Sequence, residues 1–506
     1  MHDRLILAID QGTSGTKAII FDTAGRIIAR ATSPLDCTFP RPGLVEQDPE
    51  GIYRNVIDAV RACVDRFRSA GGQVDRIACC GISNQRETFC IWDQNGRPLC
   101  NAVVWQCKRS VGICNRLRQP AIEQQVRQRT GLIIDPYFSA TKIVWLLEND
   151  EHVRQAIEYK RAMFGTVDTW LLYRLTGGSR YLTDYTNASR TLLFNIDQLG
   201  WDQGLIDLFG LKGLVLPDVR PSACMFGESD IGSVLPQPIP ITAMIGDSHA
   251  AAFGECCLGP GMAKATLGTG CSILLNTGHK RMNSRSGMVS TICWSTADRV
   301  DYALEGIIVS CGSTIQWLRD QLGLFQDSQQ TESMACSVED CGGVYLIPAF
   351  SGLGAPHWQM DLKGAVTGLT FGTNKAHIIR AALESIAYQI KDVIYAMEQD
   401  SGIQLQGLRA DGGITNNRFV MQYIADLLGK EVVNMGIQDV SALGAALLAG
   451  LQMGLYKDLD QIAGLCVAKT TYKPGPERQR RSAMERYEGW LAQVRGLIGQ
   501  AKECRR

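Results

Sequence analysis

The chain lacks an excess of charge of either sign: 51 lysines and arginines stand against 51 aspartates and glutamates over 506 residues, for a net charge of zero. No long basic stripe runs along it, which excludes nucleic-acid binding that rests on phosphate neutralisation. Long apolar runs are missing as well, so membrane insertion is not expected. The first residues enter a strand-like run without the basic, apolar and small-residue progression of a secretory signal, which points to the cytoplasm. Histidines number only six, none at metal-ligand spacing from the cysteines. The 18 cysteines include no C-x-x-C pair, while Cys79-Cys80 and Cys256-Cys257 are simply adjacent. That distribution argues against a zinc site and a disulfide framework; most cysteines are expected to be small buried apolar groups in a reducing compartment. Also absent are the G-x-x-x-x-G-K-[ST] phosphate loop and the H-R-D and D-F-G segments of protein kinases.

What is present is concentrated in two turns. Leu5-Ile6-Leu7-Ala8-Ile9-Asp10-Gln11-Gly12-Thr13-Ser14-Gly15-Thr16-Lys17 runs directly into Ala18-Ile19-Ile20-Phe21. Two β-type runs flank a tight turn in which the glycines, Thr13 and Ser14 aim N–H groups and hydroxyls at one point. This forms a cradle for nucleotide phosphates, with Asp10 suited to a magnesium ion through water and Lys17 supplying a positive point charge. An ordinary hairpin would use the same turn residues. The pattern recurs in Met262-Ala263-Lys264-Ala265-Thr266-Leu267-Gly268-Thr269-Gly270-Cys271-Ser272-Ile273-Leu274-Leu275. Two such hairpins, one early in each half, suggest a duplicated domain with a nucleotide held between the copies.

A chain of this length divides naturally into two large domains. Strand-like runs (76–82, 88–92, 241–245) alternate with helix-like ones such as 51–67, an α/β pattern. The clearest helix follows Asn374, a suitable N-cap, and carries Ile379, Leu383, Ile386, Ile390 and Ile394 on one stripe. The charged segment 477–506 reads as a solvated surface helix. The repeat places the domain boundary between the Gly246-Asp247-Ser248-His249 motif and the second hairpin, giving units of 1–252 and 253–506.

Four further segments could carry chemistry. Arg86 and Glu87, in Gly81-Ile82-Ser83-Asn84-Gln85-Arg86-Glu87-Thr88, offer a fork donor and an acceptor to neighbouring hydroxyls, as polyol recognition requires; a surface ion pair is the plainer account. Trp105 and Tyr137 could wall a small carbon chain and add a hydroxyl contact, or simply fill a core. Asp247 closes an apolar run at 241–246 and so sits at a strand's C-terminal edge, where it suits a general base for an attacking hydroxyl; an N-cap of the next helix would look the same. Gly312-Ser313-Thr314-Ile315-Gln316-Trp317 and Asp411-Gly412-Gly413-Ile414-Thr415-Asn416-Asn417 permit close approach of a flat base and offer amides to read it, or are plain loop chemistry.

Taken together, these residues resemble the FGGY carbohydrate kinases, and within them the branch that phosphorylates glycerol. The likeness runs from the first strand to about Gly454. It includes Asn84-Gln85-Arg86-Glu87-Thr88, Asp135-Pro136-Tyr137-Phe138-Ser139, Phe164-Gly165-Thr166-Val167-Asp168-Thr169-Trp170, the stretch from Thr183 to Thr191, and the stretch from Pro348 to Pro356. The resemblance implies two actin-like ATPase domains with ribonuclease-H-like cores closing on ATP, magnesium and a small polyol. Thr13, Ser14 and Lys17 would face the phosphates and Asp10 the metal, while Thr269, Gly312, Gln316, Gly413 and Asn417 would line the nucleotide. Arg86, Glu87, Trp105, Tyr137 and Ser248 would bind substrate, with Asp247 as base for in-line transfer to a primary hydroxyl. The chain departs from the family at Ser248-His249, where the family pattern has two glutamines, at Ser272, where it has a phenylalanine, and at Cys107-Lys108. The Ser248 and Ser272 changes imply a roomier, more polar pocket, so a larger polyol or ketose such as erythritol, xylulose or ribulose competes with glycerol. A rival from another class is a non-catalytic nucleotide-switched protein of the actin or Hsp70 type, or a sugar sensor. A homo-oligomer, dimer or tetramer, is also expected.

Overall fold

In the computed structural model, which describes residues 4–437, 439–466 and 468–503, the first glycine turn closes an antiparallel hairpin. Its strands are β1 (Leu5–Gly12) and β2 (Gly15–Asp22), with Asp10 opposite Lys17. β3 (Ile27–Pro34) extends the hairpin antiparallel, and β4 (Ile77–Asn84) lies parallel to β1 on its other side. β5 (Ala223–Ser229) and β6 (Ile239–Gly246) complete a sheet of order β5-β6-β4-β1-β2-β3.

The second glycine turn builds the same object again. β7 (Met262–Leu267) and β8 (Cys271–Gly278) form its hairpin, followed by β9 (Val289–Ser295), β10 (Val300–Ile308), β11 (Gly407–Asp411), β12 (Val432–Asn434) and β13 (Thr470–Tyr472). The order is β9-β10-β8-β7-β11-β12-β13. Running outward from the hairpins, β7 pairs parallel with β11 and β11 with β12, as β1 does with β4 and β4 with β6. The duplication read from the two turns is therefore a duplication of whole sheets, with β9 added at one edge.

Six helices position the site: α1 (Pro49–Ser69), α2 (Asp247–Gly254), α3 (Gly312–Asp320), α4 (Lys375–Ser401), α5 (Val440–Gln452) and α6 (Glu477–Glu503). α1 starts at Asp48, whose side chain accepts from the Glu50 N–H, and buries Ile52, Val56, Val60 and Val64 against the first sheet. α4 is capped by Asn374 as expected and ends on Gly402 in the left-handed conformation. α2 and α5 meet backbone to backbone: a Cβ on Gly444 would stand 1.8 Å from the Ala250 carbonyl oxygen, so only glycine fits. Around this crossing, Ile6, Phe21, Ile245 and Phe253 pack with Leu274, Trp294 and Ala303 in a core shared by both sheets.

Two expectations are corrected here. α6 is not merely solvated: Ala483, Tyr487, Trp490 and Val494 are buried, and the Trp490 indole donates to the Leu346 carbonyl at 3.0 Å. Most of its charges lie on the outer face, Arg486 instead donating inward to the Tyr423 hydroxyl at 3.1 Å, and the expected segment's residues 504–506 fall outside the described residues. Most cysteines are buried free thiols, but Cys256 and Cys466 are joined by a disulfide that links the turn after α2 to the end of the helix Leu459–Leu465. Among the described residues, no helix is long and apolar enough to cross a membrane.

Candidate active site

Asp10 lies near the end of β1, where its carboxylate accepts from the Ser83 hydroxyl of β4 at 2.9 Å. Burial, with the nearby charges of Asp247 and Asp439 adding to it against Lys17 and Ser83, pushes its pKa up to about 6. A carboxylate so placed, with one hydroxyl partner, fits a hard cation held partly through water. Among the described residues no group of three or more His, Cys, Asp or Glu side chains could hold a metal alone. Water and phosphate oxygens would complete such a shell.

The rest of the first hairpin is placed less simply. Ser14 is exposed at the turn. Thr13 is tied down: its hydroxyl donates to Gln85 at 3.1 Å and accepts from the Trp105 indole at 2.9 Å. The phosphate turn is thereby joined to the expected substrate wall. Lys17 is ion-paired with Asp439 at 3.0 Å while its side chain stays 41% exposed, so that carboxylate shares its charge.

On the substrate side, Trp105 and Tyr137 meet edge to face at 5.5 Å. Their shared support is Lys142, whose buried amine donates to the carbonyls of Tyr137 (2.9 Å), Trp105 (3.2 Å) and Val104 (3.3 Å). Arg86 and Glu87 do not form the surface pair that was the plainer account. Arg86 is buried and reaches Asp247 through Nε at 3.4 Å and Glu305 through Nη2 at 2.8 Å. Glu87 accepts from Arg190 Nε at 2.6 Å, and Arg190 Nη1 lies 2.8 Å from the other Glu305 oxygen. Burial alone would raise the Glu305 pKa, but the charges of Arg190 and Arg86 overcome it and hold Glu305 well below the usual carboxylate range. Arg86 Nη1 has no protein partner although buried. An orphaned donor beside Asp247 is what a substrate hydroxyl would satisfy.

Asp247 begins α2 at the end of β6, and its Oδ1 accepts from the Ser248 N–H at 2.6 Å. It is half-exposed, in contrast to Arg86 and Glu305 behind it. The strand end that carries it is held from below. The Gly246 N–H donates to the Thr186 hydroxyl at 2.9 Å, Thr186 donates to Asp184, and the Asp184 N–H donates to Asp168. His249 lies under the site, with Nε2 3.2 Å from the Thr291 hydroxyl. Burial and Arg86 hold its pKa well below the usual histidine range, so it is neutral. Ser272 donates to Glu305 at 3.3 Å, a polar contact on the wall beside Arg86.

The residues expected to line the nucleotide converge on one cavity. Gly312, at the start of α3, has its N–H on the Gly268 carbonyl at 2.9 Å, and a Cβ there would stand 2.6 Å from that oxygen. Gly412 has φ +95° and a virtual Cβ 2.5 Å from the Leu267 carbonyl oxygen. Backbones this close are available only to glycine. They enclose a cavity of about 1110 Å³ lined by Thr269, Gly312, Gln316, Gly413 and Asn417.

Of the residues singled out in the sequence, Asp10, Thr13, Ser14 and Lys17 fall on the first hairpin, Asp247 and Ser248 at the α2 start, and Thr269, Gly312, Gln316, Gly413 and Asn417 around this cavity, while Arg86, Glu87, Trp105 and Tyr137 lie between β4 and β5 in the chain. Sequence reasoning missed Glu305, Arg190, Lys142 and Lys264. Arg190 lies inside a stretch quoted for its resemblance, yet nothing local marks its partner Glu305, whose mostly apolar strand also carries Asp301.

The chain belongs to the FGGY family of carbohydrate kinases: the family's N-terminal domain matches residues 5–254 and its C-terminal domain residues 263–453. It is an ATP-using carbohydrate kinase by that membership. Within the family it is similar to glycerol kinases, being 45% identical over 495 residues to that of Carboxydothermus hydrogenoformans, with 98% of each chain covered. It is 46% identical over 502 residues to that of Symbiobacterium thermophilum, covering 97% of this chain and 100% of the relative. Among solved structures, the Plasmodium falciparum glycerol kinase with ADP superposes with a TM-score of 0.91 at 34% identity over 98% of both chains. A xylulose kinase from Lactobacillus acidophilus, at 23% identity and a TM-score of 0.87 over 98% of both chains, shares the fold.

Proposed function

We propose that the protein transfers the γ-phosphoryl group of ATP to a primary hydroxyl of glycerol, giving glycerol 3-phosphate, with Asp247 as general base. What supports this reading is that the half-exposed Asp247 carboxylate stands between a polyol-type group (Arg86, Glu87, Trp105, Tyr137, Ser248) and the hairpin bearing Asp10. The curated relatives spanning nearly the whole chain are named glycerol kinases.

In this mechanism Arg86 Nη1 and the Trp105–Tyr137 wall orient the polyol. Asp247 accepts the proton of the attacking hydroxyl. Thr13, Ser14, the hairpin N–H groups and Lys17 hold the phosphates, and Thr269, Gly312, Gln316, Gly413 and Asn417 hold the rest of the nucleotide. Asp10 would hold magnesium, which when bound neutralises charge on the transferring phosphates. Closure of the units 1–252 and 253–506 would exclude water and limit ATP hydrolysis.

Ser272 favours a second reading. Its hydroxyl on Glu305 makes that wall polar, so a four- or five-carbon polyol or ketose is the competing substrate. We place the enzyme in the cytoplasm as a homo-oligomer, consistent with the apolar surface at Leu369 and Phe371. A coupled ADP-release screen with glycerol, erythritol, dihydroxyacetone, xylulose and ribulose tests the assignment. Glycerol with the highest kcat/KM is the expected result, and stimulation by none of the panel would overturn it.

A further inference from the structure

A buried polar cluster lies next to Ser248, the residue that follows Asp247. Lys264 sits in the middle of β7, almost wholly buried, and its Nζ donates to the Ser248 hydroxyl at 3.0 Å. On β11 beside it are Arg409, its register partner, and Asp411, which accepts from the Thr266 hydroxyl at 3.0 Å. Glu255, at the far end of α2, is fully buried and neither of its oxygens receives a hydrogen bond from a donor. Burial, the neighbouring Asp411 charge and a hydrogen bond shared with Asp411 push its pKa well above the usual carboxylate range.

The consequence falls on Ser248. A hydroxyl has one proton to donate and two acceptor positions. Lys264 can only donate, so it occupies an acceptor position and leaves the Ser248 proton to find a partner elsewhere. Among the described residues Ser248 Oγ donates to no protein group, and the residue is half-exposed to the cleft. Its backbone N–H meanwhile holds Asp247 Oδ1 at 2.6 Å. One residue thus offers a hydroxyl proton to the cleft and fixes the orientation of the base.

We infer that Lys264 is a positioning residue for phosphoryl transfer: it holds Ser248 as a donor to the attacking hydroxyl oxygen while that hydroxyl gives its own proton to Asp247. This rests on the proposed reaction. An oxygen that donates to Asp247 and accepts from Ser248 has two of its directions fixed, which is a contribution to orientation and hence to kcat.

The test is a double-mutant cycle with Lys264→Met and Ser248→Ala, assayed for kcat and KM with glycerol and for ADP binding. Each single variant is expected to lower kcat by about tenfold or more, with the glycerol KM and ADP affinity within about threefold of wild type. The double variant should be no worse than the poorer single one, because both remove one interaction. Multiplicative losses, or an Lys264→Met enzyme that keeps more than half of its kcat, would overturn the inference. Should Lys264→Met fail to fold, Ser248→Ala decides alone: an unchanged kcat rejects the assignment, and a lowered kcat at constant KM supports it. A wild-type protein that turns over no polyol would instead bring down the proposed reaction, and this inference with it.

Discussion

Arg86 and Arg190 hold opposite oxygens of Glu305, each at 2.8 Å, and all three side chains are buried. The two arginines come from the first half of the chain and the glutamate from the second. The arrangement therefore joins the duplicated sheets at the point where substrate would sit.

Removing the central acid should leave two buried cations without their counter-charge. Glu305→Ala is expected to lower the unfolding free energy by about 3–5 kcal/mol and to raise the polyol KM as Arg86 loses its anchor. Urea unfolding with a parallel kinetic assay checks this. A loss under about 1 kcal/mol would mean that the network relaxes or that water enters.

The polar wall at Ser272 makes a separable prediction. Ser272→Phe should raise the preference for glycerol over a four-carbon polyol by about 5- to 150-fold in kcat/KM, the effect of about 1–3 kcal/mol of discrimination. An unchanged ratio would show that this position does not shape the pocket.

The support beneath Asp247 should make stability depend on pH. Burial, reinforced by the neighbouring Asp184 charge, pushes Asp168 up to about 7, whereas an unfolded aspartate titrates at about 4. Between those values the folded chain holds a proton that the unfolded chain has released. The stabilisation is therefore complete below about pH 4 and is lost as pH rises through about 7. Relative to Asp168→Asn, the wild type should lose stability between pH 5 and pH 8, by up to about 3 kcal/mol. Parallel slopes for the two proteins would contradict this.

How much of this was legible in the sequence follows from how local each feature is. Both glycine hairpins could be read because a tight turn is specified by its own few residues, and the sheet duplication followed from them. Asp247 could be placed because a strand end and a helix start are adjacent in the chain. Glu305 and Lys264 could not be read, since each sits in a mostly apolar strand and its partners come from other elements of the fold. α6 was misread because its charges outnumber the Tyr487 and Trp490 stripe that anchors it. The Cys256–Cys466 link spans a sequence separation of 210, beyond any spacing argument.

The central claim is that the Asp247 carboxylate removes the proton of the attacking hydroxyl, and Asp247→Asn, which keeps the shape of the side chain, tests it most directly. Turnover with saturating ATP and glycerol should fall by about 10²–10⁴-fold, with ADP affinity and the thermal transition close to those of the wild type. An Asp247→Asn enzyme with near-normal kcat would contradict the account.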